Sequence, residues 1–360
     1  MLKQSIKNHT YYVYNLYRYV HTVRYEKSAL ALKKSQWRKV ILTPEQKREI
    51  RSIYGNKVSN KWHRLYQSYT GVFNKDYFPE ILFSSRLEPK LCPRGICKVL
   101  QDKSLVETMY ATVPGLKFPK TVIVNCSGLY YDAARSVVDE TTAATAVENW
   151  CSGKDFIIKP TTNTKEGDNV RKFKATTVSR EKVLELFRQY RKNFIVQECI
   201  KNYQAIGSLY DKSLNTFRIM TYILNNQLHH TPVIFRIGRN GKEIDDELYV
   251  GISDEGILSR EAYTYDGERY LSHPDTGMIF EGYYISGIPL LLECAYGCHK
   301  KTPHTRFISW DFALDETGAP ILIEANLLGH SAWFPQVVCG VSTFGENTKQ
   351  MLELIGIRRA

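Results

Sequence analysis

The stretch ISWDFALDETGAPILIEANL, Ile308 to Leu327, constrains the fold of this chain more than any other. Two apolar, β-favouring runs flank Asp315-Glu316-Thr317-Gly318, a run of turn-forming residues. The expected structure is an antiparallel hairpin. In a hairpin, opposed residues share a face and successive residues alternate faces. With a four-residue loop, Leu314 opposes Ala319 and Asp311 opposes Leu322. Glu324 and Asn326 then project on the same side as Asp311. Trp310, Phe312, Leu314, Ile321 and Ile323 form the opposite, core-facing side. Two carboxylates on one face repel unless a cation lies between them. Carboxylate and amide oxygens are hard donors, and Mg²⁺ bridging to a phosphate suits them. The competing reading is a hairpin with a wet acidic face.

The remainder of the 360 residues supports one large domain or two to three lobes. Hydrophobic residues make up 43% and charged residues 24%, the balance of an ordinary globular protein. No uninterrupted apolar stretch approaches bilayer length, and MLKQSIKNHTYYVYNLYRYV lacks the apolar core of a secretory signal. The expected location is therefore cytoplasmic, with peripheral contact at the inner face of the membrane as an alternative. In that compartment the eight cysteines are expected to be reduced core residues. The net charge of +12 is concentrated at the start, where residues 1–50 hold eleven Lys or Arg against three Glu. The same region is rich in tyrosine. A basic, aromatic segment over residues 1–40 can lie on an anionic membrane, bind nucleic acid, or form a solvated helical extension; nucleic acid is the least favoured.

Residues 1–88 read as a mostly helical, basic region. LTPEQKREIRSIYG carries a complete set of helix signals: Thr43 as cap, Pro44 in the first turn, Gln46 three residues after the cap, and Gly55 as stop. From Glu88 the texture changes to short β-rich runs between helices. TVIVN (121–125), FIIK (156–159), FIVQE (194–198), FRIMTYIL (217–224) and PVIFRIG (232–238) read as strands. Val183, Leu186, Phe187 and Tyr190 share one helical face behind a Ser179 cap, and Thr348, Met351, Leu352 and Ile355 mark a last amphipathic helix. The fold class is α+β.

Several polar residues sit at strand ends or inside strands. Lys159 follows a fully apolar strand, so its ammonium must reach a crevice or snorkel to solvent. Arg218 lies mid-strand, where a guanidinium is costly unless paired. Glu198 ends a strand, Lys103 heads a helix, and TTNTKEGDNVRKF (161–173) is a polar loop with a single glycine, Gly167. Arg236 and Arg239 can grip a carboxylate or phosphate, or form surface ion pairs. His273 and Asp275 in HPDTG suit either proton transfer or a tight turn. Cys294, Cys298, His299 and His304 are too irregularly spaced for a zinc site, and a helix with two core cysteines is the better reading.

The order of these elements resembles the ATP-grasp enzymes. FIVQECI, NTFRIMTYI and SWDFALDETGAPILIEANLLG are similar to the corresponding run in ribosomal-protein glutamate ligases and biotin carboxylases. The resemblance implies two α+β lobes gripping ATP, 89–200 and 201–360, behind the helical extension. It further implies that Lys103, Lys159 and the Gly167 loop touch phosphates and that Glu198 reads the adenosine. Asp311, Glu324 and Asn326 would hold Mg²⁺, and Arg218, Arg236 and Arg239 would serve the transferring group and the substrate.

SNKWHRLYQSYTGVFNKDYFPEILFSSRLEPKL, RIGRNGKEID, HPDTG and FPQVVCGVSTFGENTKQMLE resemble, more closely, the sugar-transfer-associated ATP-grasp family of bacterial cell-surface polysaccharide biosynthesis. This chain departs from that family in its glycine-poor phosphate loop and in Leu248-Tyr249-Val250, where a Gly-Gly pair is usual. The implied activity is an ATP-dependent carboxylate–amine ligase acting through an acyl phosphate, with ATP, a carboxylate and an amine as small-molecule partners. A kinase of a sugar or lipid-linked intermediate and a non-catalytic nucleotide-binding adaptor are the alternatives.

Overall fold

The computed structural model describes residues 2–56, 58–162, 169–175, 178–242 and 246–357. Two antiparallel sheets organise it. The smaller has the order β3-β2-β1-β6-β4-β5. Its strands are β1 (Thr121–Cys126), β2 (Leu129–Tyr131), β3 (Val137–Val138), β4 (Phe156–Pro160), β5 (Arg171–Phe173) and β6 (Phe194–Glu198). The larger runs β12-β11-β10-β9-β7-β13-β14, with β8 paired to β7. It contains β7 (Thr216–Leu224), β8 (Gln227–His230), β9 (Val233–Gly238), β10 (Glu247–Ile252) and β11 (Leu258–Tyr263). β12 (Arg269–Tyr270), β13 (Phe307–Leu314) and β14 (Pro320–Asn326) complete it. All five strands expected from the sequence form, within a residue of the expected ends.

The helices follow their capping signals. α1 spans Leu2–Leu32 and α2 Pro44–Tyr54. At the head of α2, Thr43 Oγ1 accepts from Gln46 N at 3.1 Å while Gln46 Oε1 accepts from Thr43 N at 2.9 Å. α3 (Lys61–Thr70) packs against α7 (Trp333–Cys339). α4 (Glu140–Cys151) and α5 (Arg180–Tyr190) cover the small sheet, and Ser179 caps α5. α6 (Ile288–Lys300) lies against the large sheet, and α8 (Thr348–Leu354) closes the described chain. Cys294 and Cys298 of α6 are buried in the core, as the two-cysteine helix reading expects. Beside them, His299 bonds Thr221 Oγ1 at 2.6 Å. His273 meets Gly238 O at 2.8 Å and accepts from Asp275 N at 3.3 Å, so the HPDTG turn is tied into the fold.

The cores do not follow the expected boundaries. The small sheet's core draws on Val122 to Val196, whereas Leu91, Cys97, Val106 and Tyr110 pack in the large core. Segment 89–118 thus belongs physically with the large sheet. Residues 1–88 are not a separate body either: Leu42, Ile50 and Phe83 join the same large core, and Leu30, Trp37 and Trp62 pack with Trp333 and Ile234. The exception is the first part of α1. Tyr12, Val13, Leu16, Tyr17, Tyr19 and Val20 are exposed, and close packing on the body begins at Glu26 and Leu30. Among the described residues, no helix is long and apolar enough to cross a membrane.

The Ile308–Leu327 hairpin forms, but with a different register. Leu314 opposes Pro320 and Phe312 opposes Leu322, then the register shifts so that Asp311 opposes Glu324 and Ser309 opposes Asn326. The turn takes one residue more than expected: Asp315 N donates to Ala319 O, and Asp315 Oδ1 accepts from both Thr317 N and Ala319 N. The second extra residue is Ile323, a bulge in β14. Two one-residue changes restore the parity, so Asp311, Glu324 and Asn326 do share a face. Ile323 loses its expected core position and is partly exposed, and Leu322 is fully buried instead.

Candidate functional site

A row of charge crosses the large sheet. Asp311 of β13 pairs directly with Arg218 of β7 and, on its other side, with Glu324 of β14. Arg218 opposes Ile234 in β9, which puts Arg236 on the same face, and Arg236 opposes Tyr249 of β10, flanked by Glu247. Alternation alone therefore lines up Glu324, Asp311, Arg218, Arg236 and Glu247 across five strands. Their side chains complete the row. The Arg218 guanidinium grips Asp311 with both prongs, Nε to Oδ1 and Nη2 to Oδ2, each 2.9 Å. Asn326 Nδ2 donates to Asp311 Oδ2 at 3.2 Å. Arg236 Nη1 lies 3.8 Å from Asp311 Oδ1, while its Nε and Nη2 reach Glu247 Oε2 at 2.9 and 2.8 Å. Burial pushes the Asp311 carboxyl up, but Arg218 and Arg236 together outweigh it and hold the group below the usual carboxylate range. Burial likewise works against the Arg236 charge, and Glu247 and Asp311 more than compensate.

The second half of the site comes from the small lobe and from segment 89–118. Lys159 sits on β4 opposite Ile195 of β6, and both face the hairpin. Lys103 opens a short helical turn capped by Asp102, whose Oδ1 accepts from Ser104 N at 2.9 Å. Lys103 N also donates to Thr161 O at 3.0 Å, tying this turn to the end of β4. The two lysines converge on the hairpin. Lys103 Nζ lies 2.9 Å from Glu324 Oε1, and Glu324 is also the nearest favourable charge to Lys159. Lys159 is only 5% exposed. Burial chiefly, and Lys103 after it, lowers its ammonium pKa to about 8 despite Glu324. With Arg135, the two lysines line a crevice between the sheets. Its free volume is about 10 Å³, room for one water, so a larger ligand requires the lobes to part.

The structure thus brings Lys103, Lys159 and Glu324 together, and Asp311, Asn326, Arg218 and Arg236 together beside them. Other expected residues lie apart. Glu198 opposes Phe156 in the ladder, so it leaves the face opposite to Lys159, and its Oε1 accepts from Lys120 N at 2.8 Å. Gln197, one residue earlier, faces the crevice instead. Arg239 lies outside the row: its Nε meets Asp246 Oδ1 at 2.6 Å and its Nη1 meets the Tyr270 hydroxyl at 3.0 Å. Gly167 lies outside the described residues. Sequence reasoning missed Glu247, Gln197 and Arg135. The first two are reached only through the β9–β10 and β4–β6 pairings, and Arg135 lies in a turn that no sequence period reaches.

The donor set fits a hard divalent cation in kind. Both carboxylates already hold a cationic side chain, so a metal ion here would have to share or displace those contacts. A carboxylate gripped by an arginine fork keeps further lone pairs, and Glu324 and Asn326 are the more accessible donors. No three His, Cys, Asp or Glu side chains converge as ligands among the described residues. A cation here would therefore draw on the Asn326 amide and on ligand oxygens, the pattern of Mg²⁺ held through phosphates.

Residues 82–351, three quarters of the chain, match the family model described as sugar-transfer associated ATP-grasp. No curated protein matches the chain. Among solved structures, it is similar to a D-alanyl-alanine synthetase A from Vibrio cholerae, at 12% identity over 72% of this chain and 60% of that one, with a TM-score of 0.39. The VanG D-Ala:D-Ser ligase from Enterococcus faecalis gives 14% identity, 75% and 63% coverage and a TM-score of 0.43. An ATP-grasp ligase, PsnB, complexed with minimal precursor, Mg and ADP, gives 11%, 73%, 62% and 0.43. The chain spans about three fifths of the length of each of these three structures.

Proposed function

Because this chain belongs to the sugar-transfer associated ATP-grasp family, we propose that it is an ATP-dependent ligase that joins a carboxylate to an amine. The observation that carries this reading is the convergence of Lys159 from the small lobe and Lys103 from segment 89–118 on Glu324 of the hairpin, which β14 sets beside the Asp311–Arg218–Arg236 row. Lys103 and Lys159 bind the ATP phosphates, and the incoming anion replaces Glu324 as the partner of Lys103. Glu324, Asn326 and Asp311 would hold Mg²⁺, which supplies charge neutralisation between the phosphates. Arg218 keeps Asp311 ionised and in place, and Arg236 offers positive charge beside it. In the first step a carboxylate oxygen attacks the γ-phosphorus and ADP leaves, giving an acyl phosphate. In the second an amine nitrogen attacks the acyl carbon, phosphate departs, and the nitrogen loses a proton to solvent. Positioning and charge neutralisation account for most of the catalysis in such a scheme.

The family description supports a link to sugar transfer; within that setting, an acidic sugar in cell-surface polysaccharide synthesis would serve as the carboxylate. The exposed, basic, tyrosine-rich stretch from Tyr12 to Tyr25 would hold the enzyme against the anionic face of a membrane. Trapping tests the chemistry. Purified protein given ATP, Mg²⁺ and a panel of carboxylates should release ADP and, with hydroxylamine, yield a hydroxamate. Phosphorylated sugar without hydroxamate would establish the kinase alternative, and nucleotide binding without ADP release would establish the adaptor. Glu324→Ala should abolish ADP release with its unfolding transition intact; wild-type release from that variant would refute the metal assignment.

A further inference from the structure

A second cleft, of about 880 Å³, opens along the large sheet away from the crevice. Its walls come from the β7–β8 hairpin, the turn after β10, α6 and the loop following α7. Lys103, Lys159, Asp311 and Glu324 take no part in it. Tyr222, on its wall, is four residues along β7 from Arg218, on the order of 13 Å at strand spacing. The volume is that of a small-molecule site.

Its chemistry is the reverse of the crevice's. The crevice is lined by three cations, Lys103, Arg135 and Lys159, against one acid, Glu107. The second cleft has no Lys or Arg among its lining residues, yet it carries Asp254, Glu255 and Glu346 in a chain of net charge +12. A phosphate or carboxylate ligand is repelled there, and a neutral or cationic one is not. The walls are also aromatic and ordered by their own contacts. Tyr222 stacks on His229 with ring centroids 5.2 Å apart, and its hydroxyl accepts from Asn347 Nδ2 at 3.1 Å. His230 lies 6.0 Å from the Tyr296 ring and holds Asp254 Oδ2 at 3.3 Å from Nε2. Tyr222 is buried, but the partly exposed rings of His229, His230 and Tyr296 can take the C–H face of a saccharide, while carboxylates and amides take its hydroxyl and amino groups.

We propose that this cleft binds a sugar ring bearing hydroxyl or amino groups and no phosphate or carboxylate. The site is separate from the crevice and does not rest on the ligase reading. Titration of the full chain with glucosamine, glucose and glucose 6-phosphate, read by saturation-transfer NMR, tests it. Glucosamine should bind at least tenfold more tightly than glucose 6-phosphate, with glucose between them. Asp254→Asn should weaken glucosamine about tenfold and glucose by less than threefold. Tyr296→Ala should weaken both. Unchanged thermal transitions would show that both variants fold. Equal binding of glucose 6-phosphate, binding that survives both substitutions, or no binding of glucosamine and glucose to the folded protein would overturn the assignment.

Discussion

Asp311 and Lys159 both neighbour Glu324 and are buried to the same degree, 6% and 5% exposed, but their charges are handled in opposite ways. Asp311 is gripped by Arg218, approached by Arg236 and bonded by Asn326. Lys159 has no ion pair within 4 Å among the described residues, and its neighbour Lys103 repels it. The large-sheet side is neutralised before any ligand arrives, whereas the small-lobe side holds an unmet positive charge. Removing a charge should therefore have opposite consequences on the two sides: instability where the partner is stranded, relief where none exists. On the proposed reading, binding energy for an anion is concentrated on the lysine side, and the arginine side supplies rigid placement.

The largest expected effect is at Arg218. Arg218→Ala strands the Asp311 carboxylate in a buried position and should cost about 3–5 kcal/mol in urea unfolding. The double variant Arg218→Met, Asp311→Ala leaves no orphan charge and should recover most of that loss. A cost below ~1 kcal/mol for Arg218→Ala would mean that the Asp311 pair is not buried in solution, and the contrast between the two sides would fail.

Lys159→Met should move stability the other way. The Lys159 ammonium has a folded pKa of about 8 against an ordinary 10.5. Between those values the unfolded chain binds more protons, so wild-type stability rises as pH climbs from 8 to 10.5. Below pH 8 the full penalty of burying the charge remains, on the order of 3 kcal/mol. Lys159→Met should gain roughly 1–3 kcal/mol at pH 7 and lose that rise with pH. On the proposed reading, in which Lys159 meets the ATP phosphates, the same variant should bind ADP at least ~100-fold more weakly. Wild-type ADP affinity should fall as pH rises past 8, where the amine loses its proton. Destabilisation by Lys159→Met at pH 7 would mean that the ammonium already has a partner.

How much of this was legible in the sequence differs between the two sides. Strand period and apolar runs gave β4, β6, β7, β9 and the hairpin, and parity placed Asp311 with Glu324 and Asn326. Parity survived for a reason the sequence does not display: the longer turn and the Ile323 bulge each shift the register by one. In FIVQE it is the β4–β6 pairing that turns Gln197, rather than Glu198, to the crevice. What could not be read was which residues become partners across strands far apart in the chain. Glu247 is an ordinary acid until β10 pairs with β9 and brings it to Arg236. Lys103 and Lys159 are 56 positions apart; the resemblance put both at the phosphates, but the residues alone did not show the Lys103–Thr161 backbone bond and the shared Glu324 through which they meet. That segment 89–118 packs in the large core could not be read, because helices carry a face but not the name of the sheet that covers it.

Arg239 offers the smallest effect and the cleanest control. It shares β9's neighbourhood with Arg236 and looked equivalent in FRIGR, but it leaves from the strand's end. There it meets Asp246, the Tyr270 hydroxyl and, at 3.7 Å, Glu268. Glu268 is largely exposed, at 64%, and Asp246 keeps Asn240 as a second donor at 2.7 Å. Losing the arginine therefore leaves Asp246 bonded and Glu268 in water, with no stranded charge. Arg239→Ala should cost no more than about 1 kcal/mol, in the range of pairs near the surface. Arg236→Ala should cost more, because Glu247 and Asp311 both lose a cation and Asp311 is buried. ADP release should be near wild type in Arg239→Ala and reduced in Arg236→Ala. Equal losses in the two variants would mean that the charge row extends to the end of β9, and that position across the sheet, rather than burial and partner count, decides which arginine matters.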